Sequence, residues 1–202
     1  MSFDQIDFPT SDFKGLVFDL DGTLVDSMPA HFEAWCSALS EHGAPGIFGE
    51  DVFYAMGGRP TRDIVKILNG EHNLNLDPDA VAMSKRIAYL EALDKVELIE
   101  PVIAFARQHH GKVPLAIATG STRAVAEKTL EILEITDLFD TLVTADDVEQ
   151  GKPNPEVFLK AAAYINVDPT DCIAFEDAAP GIIAAQEAGM EVVTVPTPFS
   201  LK

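Results

Sequence analysis

The chain has 202 residues and sets 33 Asp and Glu against 14 Lys and Arg, a formal charge of −19 at pH 7. Binding to nucleic acid or to an anionic membrane draws on a surplus of Lys and Arg, so neither is supported by the bulk composition. With 47% hydrophobic and 23% charged residues, the chain matches an ordinary globular protein and not a disordered acidic tail.

Met1 to Asp12 holds three aspartates and no Lys or Arg, so it lacks the basic start of a secretory signal. Lys14 to Leu20 (KGLVFDL) is a compact apolar run that predicts a buried strand. Ser27 then reads as an N-cap with Pro29 in the first turn, and Phe32, Trp35 and Leu39 recur on one helical face until Gly43. Ala44 to Gly58 carries five glycines or prolines and predicts a loop with room for one short helical turn. Thr61 to Leu68 and Asp77 to Val96 predict helices, the second opened by Asp-Pro. No strand is expected in this stretch.

From Glu100 onward short apolar runs alternate with amphipathic segments. Helices are predicted over Pro101 to His109, Arg123 to Leu133, Pro155 to Ile165 and Gly181 to Ala188. Strands are predicted over Val113 to Ala118, Thr141 to Thr144, Cys172 to Phe175 and Met190 to Val195. Five strands with intervening helices imply an α/β fold: a Rossmann-like parallel sheet covered on both faces, three layers in all. An all-helical segment is inserted after the first strand. The expected division is 1–26 with 101–202 as the core and 27–100 as the helical insert. No apolar run approaches the ~20 residues of a membrane span, which favours a cytoplasmic protein. Cys36 and Cys172 share no metal-ligand spacing and are expected in the core of a protein kept reduced. Without a sustained heptad or a long edge strand, the chain is expected to be a monomer.

Ligands of open parallel sheets bind beyond the C-terminal strand ends, and there the polar residues gather. The first strand ends in Asp19-Leu20-Asp21-Gly22-Thr23, the second in Thr119-Gly120-Ser121 and the fourth in Glu176-Asp177, with Gly151-Lys152-Pro153 in the loop after the third. Four converging carboxylates raise one another's pKa unless a cation compensates them, and an oxygen-only set suits Mg²⁺. Such a metal, together with Lys152, offsets charge on a transferring phosphoryl group, leaving a carboxylate as nucleophile. No G-x-x-x-x-G-K-[ST] or G-x-S-x-G occurs, which removes the P-loop and serine-hydrolase readings. An EF-hand counted from Asp19 needs Glu where Ala30 stands. Taken alone, Glu176-Asp177 reads as a helix N-terminal charge pair and Lys152 as a solvated loop lysine.

Asp19-Leu20-Asp21-Gly22-Thr23-Leu24-Val25-Asp26-Ser27, Thr119-Gly120-Ser121, Lys152-Pro153 and Glu176-Asp177 resemble the four ordered motifs of the haloacid dehalogenase superfamily. The resemblance runs from Phe13 to Val195. It is strongest to the branch of β-phosphoglucomutase and small sugar-phosphate phosphatases, which places a helical cap directly after the first motif. It implies that Asp19 attacks phosphorus to form an aspartyl phosphate, and that Asp21 protonates the leaving oxygen and then deprotonates water. Thr119, Gly120, Ser121 and Lys152 are implied around the phosphate. Asp19, the Asp21 carbonyl and Asp177 are implied as Mg²⁺ ligands, with Glu176 at or just behind the metal. The second aspartate favours phosphoryl transfer over dehalogenation.

In the cap, His31 and Trp35 share a helix face. The resemblance offers His31 a part in substrate handling, against a satisfied surface histidine, while Trp35 and Phe32 are expected in the core. Gly57-Gly58-Arg59-Pro60-Thr61-Arg62 resembles the cap loop that selects substrate. Where the mutase has an arginine for the distal phosphate this chain has Thr61, flanked by Arg59 and Arg62, which weighs against mutase activity; Arg62 also reads as a helix-face charge. The leading expectation is a Mg²⁺-dependent phosphatase for a small phosphorylated metabolite, a sugar monophosphate such as fructose 1-phosphate. A hexose-phosphate mutase is the alternative. A receiver-like phospho-accepting module is the weaker one, because receivers lack a helical insert after the first strand.

Overall fold

The apolar run after Lys14 forms β1 (Gly15–Phe18), all four residues of which are buried. A computed structural model describes residues 6–10, 12–57 and 59–196. After β1 come β2 (Val25–Asp26), α1 (Met28–Glu41), α2 (Glu50–Ala55), α3 (Thr61–His72), α4 (Pro78–Glu91) and β3 (Glu97–Leu98). The second half alternates α5 (Glu100–His109), β4 (Leu115–Ala118), α6 (Arg123–Ile132), β5 (Thr141–Val143), α7 (Glu156–Tyr164), β6 (Cys172–Glu176), α8 (Ala179–Glu187) and β7 (Glu191–Thr194).

β1 is the centre of a five-stranded sheet in the order β5-β4-β1-β6-β7, every pairing parallel. Side chains alternate across such a sheet, and each face has its own core. Leu16, Phe18, Leu115, Ile117, Ile173 and Phe175 pack against Val102, Ile103 and Ala106 of α5 and Val125, Ala126 and Leu130 of α6. Val17, Ala116, Ala118 and Ala174 face Val157, Phe158 and Ala161 of α7 and Ala184 and Ala185 of α8. The expected three-layer Rossmann-like sheet is therefore present. α1 to α4 enclose a third apolar cluster that includes Trp35, Leu39, Phe48, Phe53, Val65, Leu68 and Val81. Phe32 is partly buried against that cluster.

Several local readings are corrected. β2 and β3 form a two-stranded antiparallel ribbon, Val25 opposite Leu98 and Asp26 opposite Glu97, where no strand was expected. Two residues per strand are too few for a period to show. This ribbon lies where the chain leaves and rejoins the sheet, so the inserted segment is helical except at its final residues. α3 runs on to His72 and stops at Asn73 in the left-handed region, φ 52, a conformation asparagine tolerates well. α4 ends at Glu91, and a 3₁₀ turn over Leu93–Lys95 replaces the last helical turn expected. Asp77 does cap α4, its Oδ1 accepting the N–H groups of Asp79 and Ala80 at 2.9 and 3.3 Å. Cys172 is buried as expected but Cys36 is exposed, because it lies on the solvent side of α1 opposite Ala34 and Trp35. Among the described residues no helix is long and apolar enough to cross a membrane.

Candidate active site

β1, β4 and β6 deliver their polar ends to one edge of the sheet, and the loop after β5 brings Lys152 beneath them. Lys152 is 2% exposed, and its Nζ donates to Asp19 Oδ1 and to Glu176 Oε1, both at 2.6 Å. Burial alone favours the neutral amine, but the two carboxylates outweigh it and hold Lys152 above the usual lysine range. Glu176 also accepts the Ala178 N–H on Oε2 at 2.8 Å, at the start of α8, where the helix dipole favours a carboxylate. Space for that carboxylate depends on Gly181, where an added Cβ would lie 1.6 Å from Glu176 Oε1.

Asp177 turns the other way. Thr23 Oγ1 donates to its Oδ1 at 3.3 Å, and Gly22, at φ +89, presents bare backbone to it: a Cβ there would lie 2.4 Å from Asp177 Oδ2. Only glycine meets both the positive φ and the close approach. Oxygens of Asp19, Glu176 and Asp177 lie within 4.8 Å of one another. Burial and the neighbouring carboxylates push Asp19 and Asp177 above the ordinary carboxylate range. Asp19 and Glu176 are buried and Asp177 is part-buried, and with all three ionised the cluster carries more negative charge than Lys152 alone offsets. An all-oxygen set with that excess fits a hard divalent cation such as Mg²⁺.

The Asp21 carboxylate is not part of that cluster. Its Oδ1 accepts from Ser27 Oγ at 2.6 Å and lies 3.0 Å from His31 Nε2, and its Oδ2 accepts from Ser121 Oγ at 2.6 Å. Burial works against the charged form, yet His31 and the two hydroxyls hold the Asp21 carboxyl well below the usual range. Ser27, expected to cap α1, makes no side-chain cap hydrogen bond and spends its hydroxyl here. His31 is 6% exposed and lies between Asp21 and Lys85, whose Nζ is 2.8 Å from Nδ1. An ammonium has only protons to donate, so Nδ1 accepts and the ring proton sits on Nε2, directed at Asp21. Burial and Lys85 keep the imidazole neutral by lowering its pKa, and burial lowers Lys85 to about 8.

Asp19, Asp21, His31, Lys85, Glu176 and Asp177 line one cleft of about 500 Å³, roofed by α1 to α4 and floored by the strand ends, with Lys152 buried behind Asp19 and Glu176. The structure brings together Asp19, Asp21, Thr119, Gly120, Ser121, Lys152, Glu176, Asp177 and His31. Thr119 Oγ1 accepts the Ser121 N–H at 3.0 Å, shaping the loop after β4. Arg59, Thr61 and Arg62 also line the cleft, with Arg62 paired to Asp79 across α3 and α4; Gly58 lies outside the described residues. The cap loop meets the sheet edge closely, since a Cβ on Gly57 would touch Ala178 Cβ at 3.2 Å and one on Gly151 would touch Pro60 Cγ at 3.2 Å. Lys85 and Tyr89 were missed in the sequence. Their spacing of four marks a shared helix face, but nothing local says that this face turns toward Asp21.

A family model described as haloacid dehalogenase-like hydrolase matches residues 13–189. The chain belongs to that family. Among its relatives, the fructose-1-phosphate phosphatase YqaB of Escherichia coli (strain K12) is 39% identical over 184 residues, 91% of this chain and 96% of that protein. The validoxylamine A 7'-phosphate phosphatase of Streptomyces hygroscopicus subsp. limoneus is 34% identical over 190 residues, 92% and 86% of the two chains. The solved structure of β-phosphoglucomutase from Clostridium difficile superposes with a TM-score of 0.79 at 25% identity, covering 94% of this chain and 87% of the other. The haloacid dehalogenase-like fold read from the sequence is thus the fold of this hydrolase.

Proposed function

We propose that this chain is a Mg²⁺-dependent phosphatase that hydrolyses a small sugar monophosphate of the fructose 1-phosphate type. The single observation that carries this reading is the pairing of two differently prepared aspartates two residues apart. Asp19 is clamped by Lys152 among the carboxylates, whereas Asp21 is turned to His31, Ser27 and Ser121. Nucleophile and proton carrier are thereby separated in role by environment. Residues 1–26 and 101–202 act as the catalytic core and 27–100 as the cap that encloses the sugar. The free thiols Cys36 and Cys172 suit a reducing compartment, here the cytoplasm.

In the reaction an Asp19 oxygen attacks phosphorus, the bond from phosphorus to the sugar oxygen breaks, and Asp21 gives that oxygen its proton. The hydrogen bonds to Asp21 favour its ionised form; an incoming phosphate dianion beside it favours its protonated form by charge repulsion. Water then attacks the phosphoryl group on Asp19 and passes a proton back to Asp21, releasing inorganic phosphate. Lys152 holds a phosphoryl oxygen, and the Thr119 hydroxyl and the backbone N–H groups that follow it supply hydrogen bonds. Asp19, Asp177 and the Asp21 carbonyl, with Glu176 behind them, would hold Mg²⁺, which supplies positive charge against the phosphoryl oxygens. Hydrolysis is preferred to mutase chemistry because the two curated relatives described above are named as phosphatases.

Phosphate release from a panel of phosphorylated sugars with Mg²⁺ tests the reading. Steady release from hexose monophosphates supports it, and isomerisation without release overturns it. Removing the metal with EDTA is expected to abolish turnover reversibly. Independently of activity, Mg²⁺ at about 100 times its Kd is expected to stabilise the fold by about 2.7 kcal/mol, read as a rise in Tm; an unchanged Tm would count against the carboxylate cluster as the metal site. Gly181→Ala is expected to push the Glu176 carboxylate off Lys152 and lower kcat by about tenfold or more, the scale of a small misplacement. Steady-state assay of a variant with normal circular dichroism checks it.

A further inference from the structure

Tyr89 is a large side chain buried against the site but outside the chemistry described so far. It is 1% exposed, and its ring lies flat on the His31 imidazole, centroids 3.8 Å apart and planes 13° from parallel. Lys85, one turn earlier on α4, reaches over the same ring with Nζ 5.5 Å from its centroid. A single face of α4 therefore offers His31 a flat support and an ammonium partner. The Tyr89 hydroxyl makes a long contact, 3.5 Å to Thr129 Oγ1 on α6, and also faces the Ser27 hydroxyl, while Thr129 itself donates to the Val125 carbonyl at 3.0 Å.

We propose that Tyr89 is a positioning residue for the Asp21 proton transfer, its ring fixing the plane of His31 so that Nε2–H stays aimed at Asp21. This rests on the phosphatase reading above. An imidazole without that support is free to turn about Cβ–Cγ, and a half-turn puts ring carbons where Asp21 and Lys85 now find nitrogens. Asp21 would then lose one of its three hydrogen bonds, and with it the geometry from which it protonates the leaving oxygen. Stacked aromatic rings have a preferred offset geometry that an aliphatic side chain of equal volume does not reproduce. The ring is the operative part, and the long hydroxyl contact is secondary.

A positioning role has a signature that a packing role lacks. A leaving group that needs a proton depends on Asp21, whereas an activated aryl phosphate expels a stable phenolate and depends on it little. Single-turnover rates of phosphoryl transfer are compared for a sugar monophosphate and p-nitrophenyl phosphate in wild type, Tyr89→Leu, Tyr89→Phe, His31→Gln and the Tyr89→Leu/His31→Gln double variant. Tyr89→Leu is expected to lose about tenfold or more on the sugar phosphate and less than about threefold on the aryl phosphate. Tyr89→Phe should restore most of the rate, and the double variant should be no slower than His31→Gln. Equal losses on both substrates, failure of Tyr89→Phe to rescue, or additive losses in the double variant would overturn the proposal. Where Tyr89→Leu proves too unstable, Tyr89→Met fills the volume with the same expectation. Asp21→Asn measured alongside separates the two levels: if it discriminates between the substrates and Tyr89→Leu does not, Tyr89 alone loses its role. If Asp21→Asn does not discriminate either, both the acid role and this proposal fall.

Discussion

Asp19→Asn is expected to reduce turnover below about 10⁻⁴ of wild type, the scale on which a covalent nucleophile acts, while the protein stays folded. The amide has the shape of the carboxylate but no charge, so the attack on phosphorus and one ligand to the cation are lost in a single step. Stability should suffer little without metal. Burial, with the Glu176 and Asp21 carboxylates nearby, raises the Asp19 pKa, so removing its charge relieves repulsion. Lys152 keeps Glu176 as partner. The rise in Tm that Mg²⁺ gives to wild type should shrink in the variant. Hydroxylamine trapping in wild type should label Asp19 and nothing else. A variant that retained more than a small fraction of activity, or a label on another carboxylate, would refute the covalent route.

The core was legible because strand periods and strand ends are local signals. Leu16 and Phe18 alternate with Val17, and the run stops where Asp19 begins, so the sheet and its polar edge are written in the same ten residues. Asp19, Lys152 and Glu176 are 157 residues apart at their extremes, yet each sits just past or in a loop beside an apolar run, and parallel topology brings such ends together. The cap was legible only as helices. Whether His31 faces solvent or the cleft depends on how α1 packs on α4, and that contact joins residues 31, 85 and 89, each of which has an unremarkable neighbourhood in sequence. Ser27 shows the same limit: a serine ahead of a helix signals a cap, but its hydroxyl donates to the Asp21 carboxylate at 2.6 Å, a partner that nothing in the first turn announces. The β2–β3 ribbon was invisible because its pairing is tertiary and its strands have two residues each.

The acidity of the chain acquires two meanings in this structure. Most acidic side chains are solvated, and the ion pairs they make with Lys14, Lys66, Lys95 and Lys128 are exposed, worth little to stability. The buried group at the sheet edge is different in kind. With Lys152 as the ammonium drawn into it among the described residues, the ionised cluster repels a phosphate dianion, so on the proposed reading a divalent cation would be the condition for substrate binding and not merely an aid to the chemical step. A metal-free enzyme should therefore show a loss of affinity for inorganic phosphate as well as of turnover.

Asp21→Asn is expected to lower steady-state hydrolysis of a sugar phosphate by about 10² or more, the usual scale of general acid–base catalysis. The substitution leaves the fold in place, because Ser121 and Ser27 hydroxyls rotate to accept or donate and can pair with an amide as they do with the carboxylate. The two half-reactions respond differently. With an activated aryl phosphate the first step needs no proton from residue 21, so phosphoryl transfer to Asp19 should stay near the wild-type rate. The second step still lacks its base, so the phosphorylated enzyme accumulates. A burst of aryl alcohol close to one equivalent, followed by a slow steady rate, is the expected trace in a stopped-flow assay. With the sugar phosphate the first step is itself slow and the burst disappears. If both substrates lost equally little, Asp21 would not be the acid, and the hydrogen bonds from Ser27, Ser121 and His31 would have to be read as purely structural; if both lost equally much with no burst on either, the residue would instead be holding Asp19 or the cation in place.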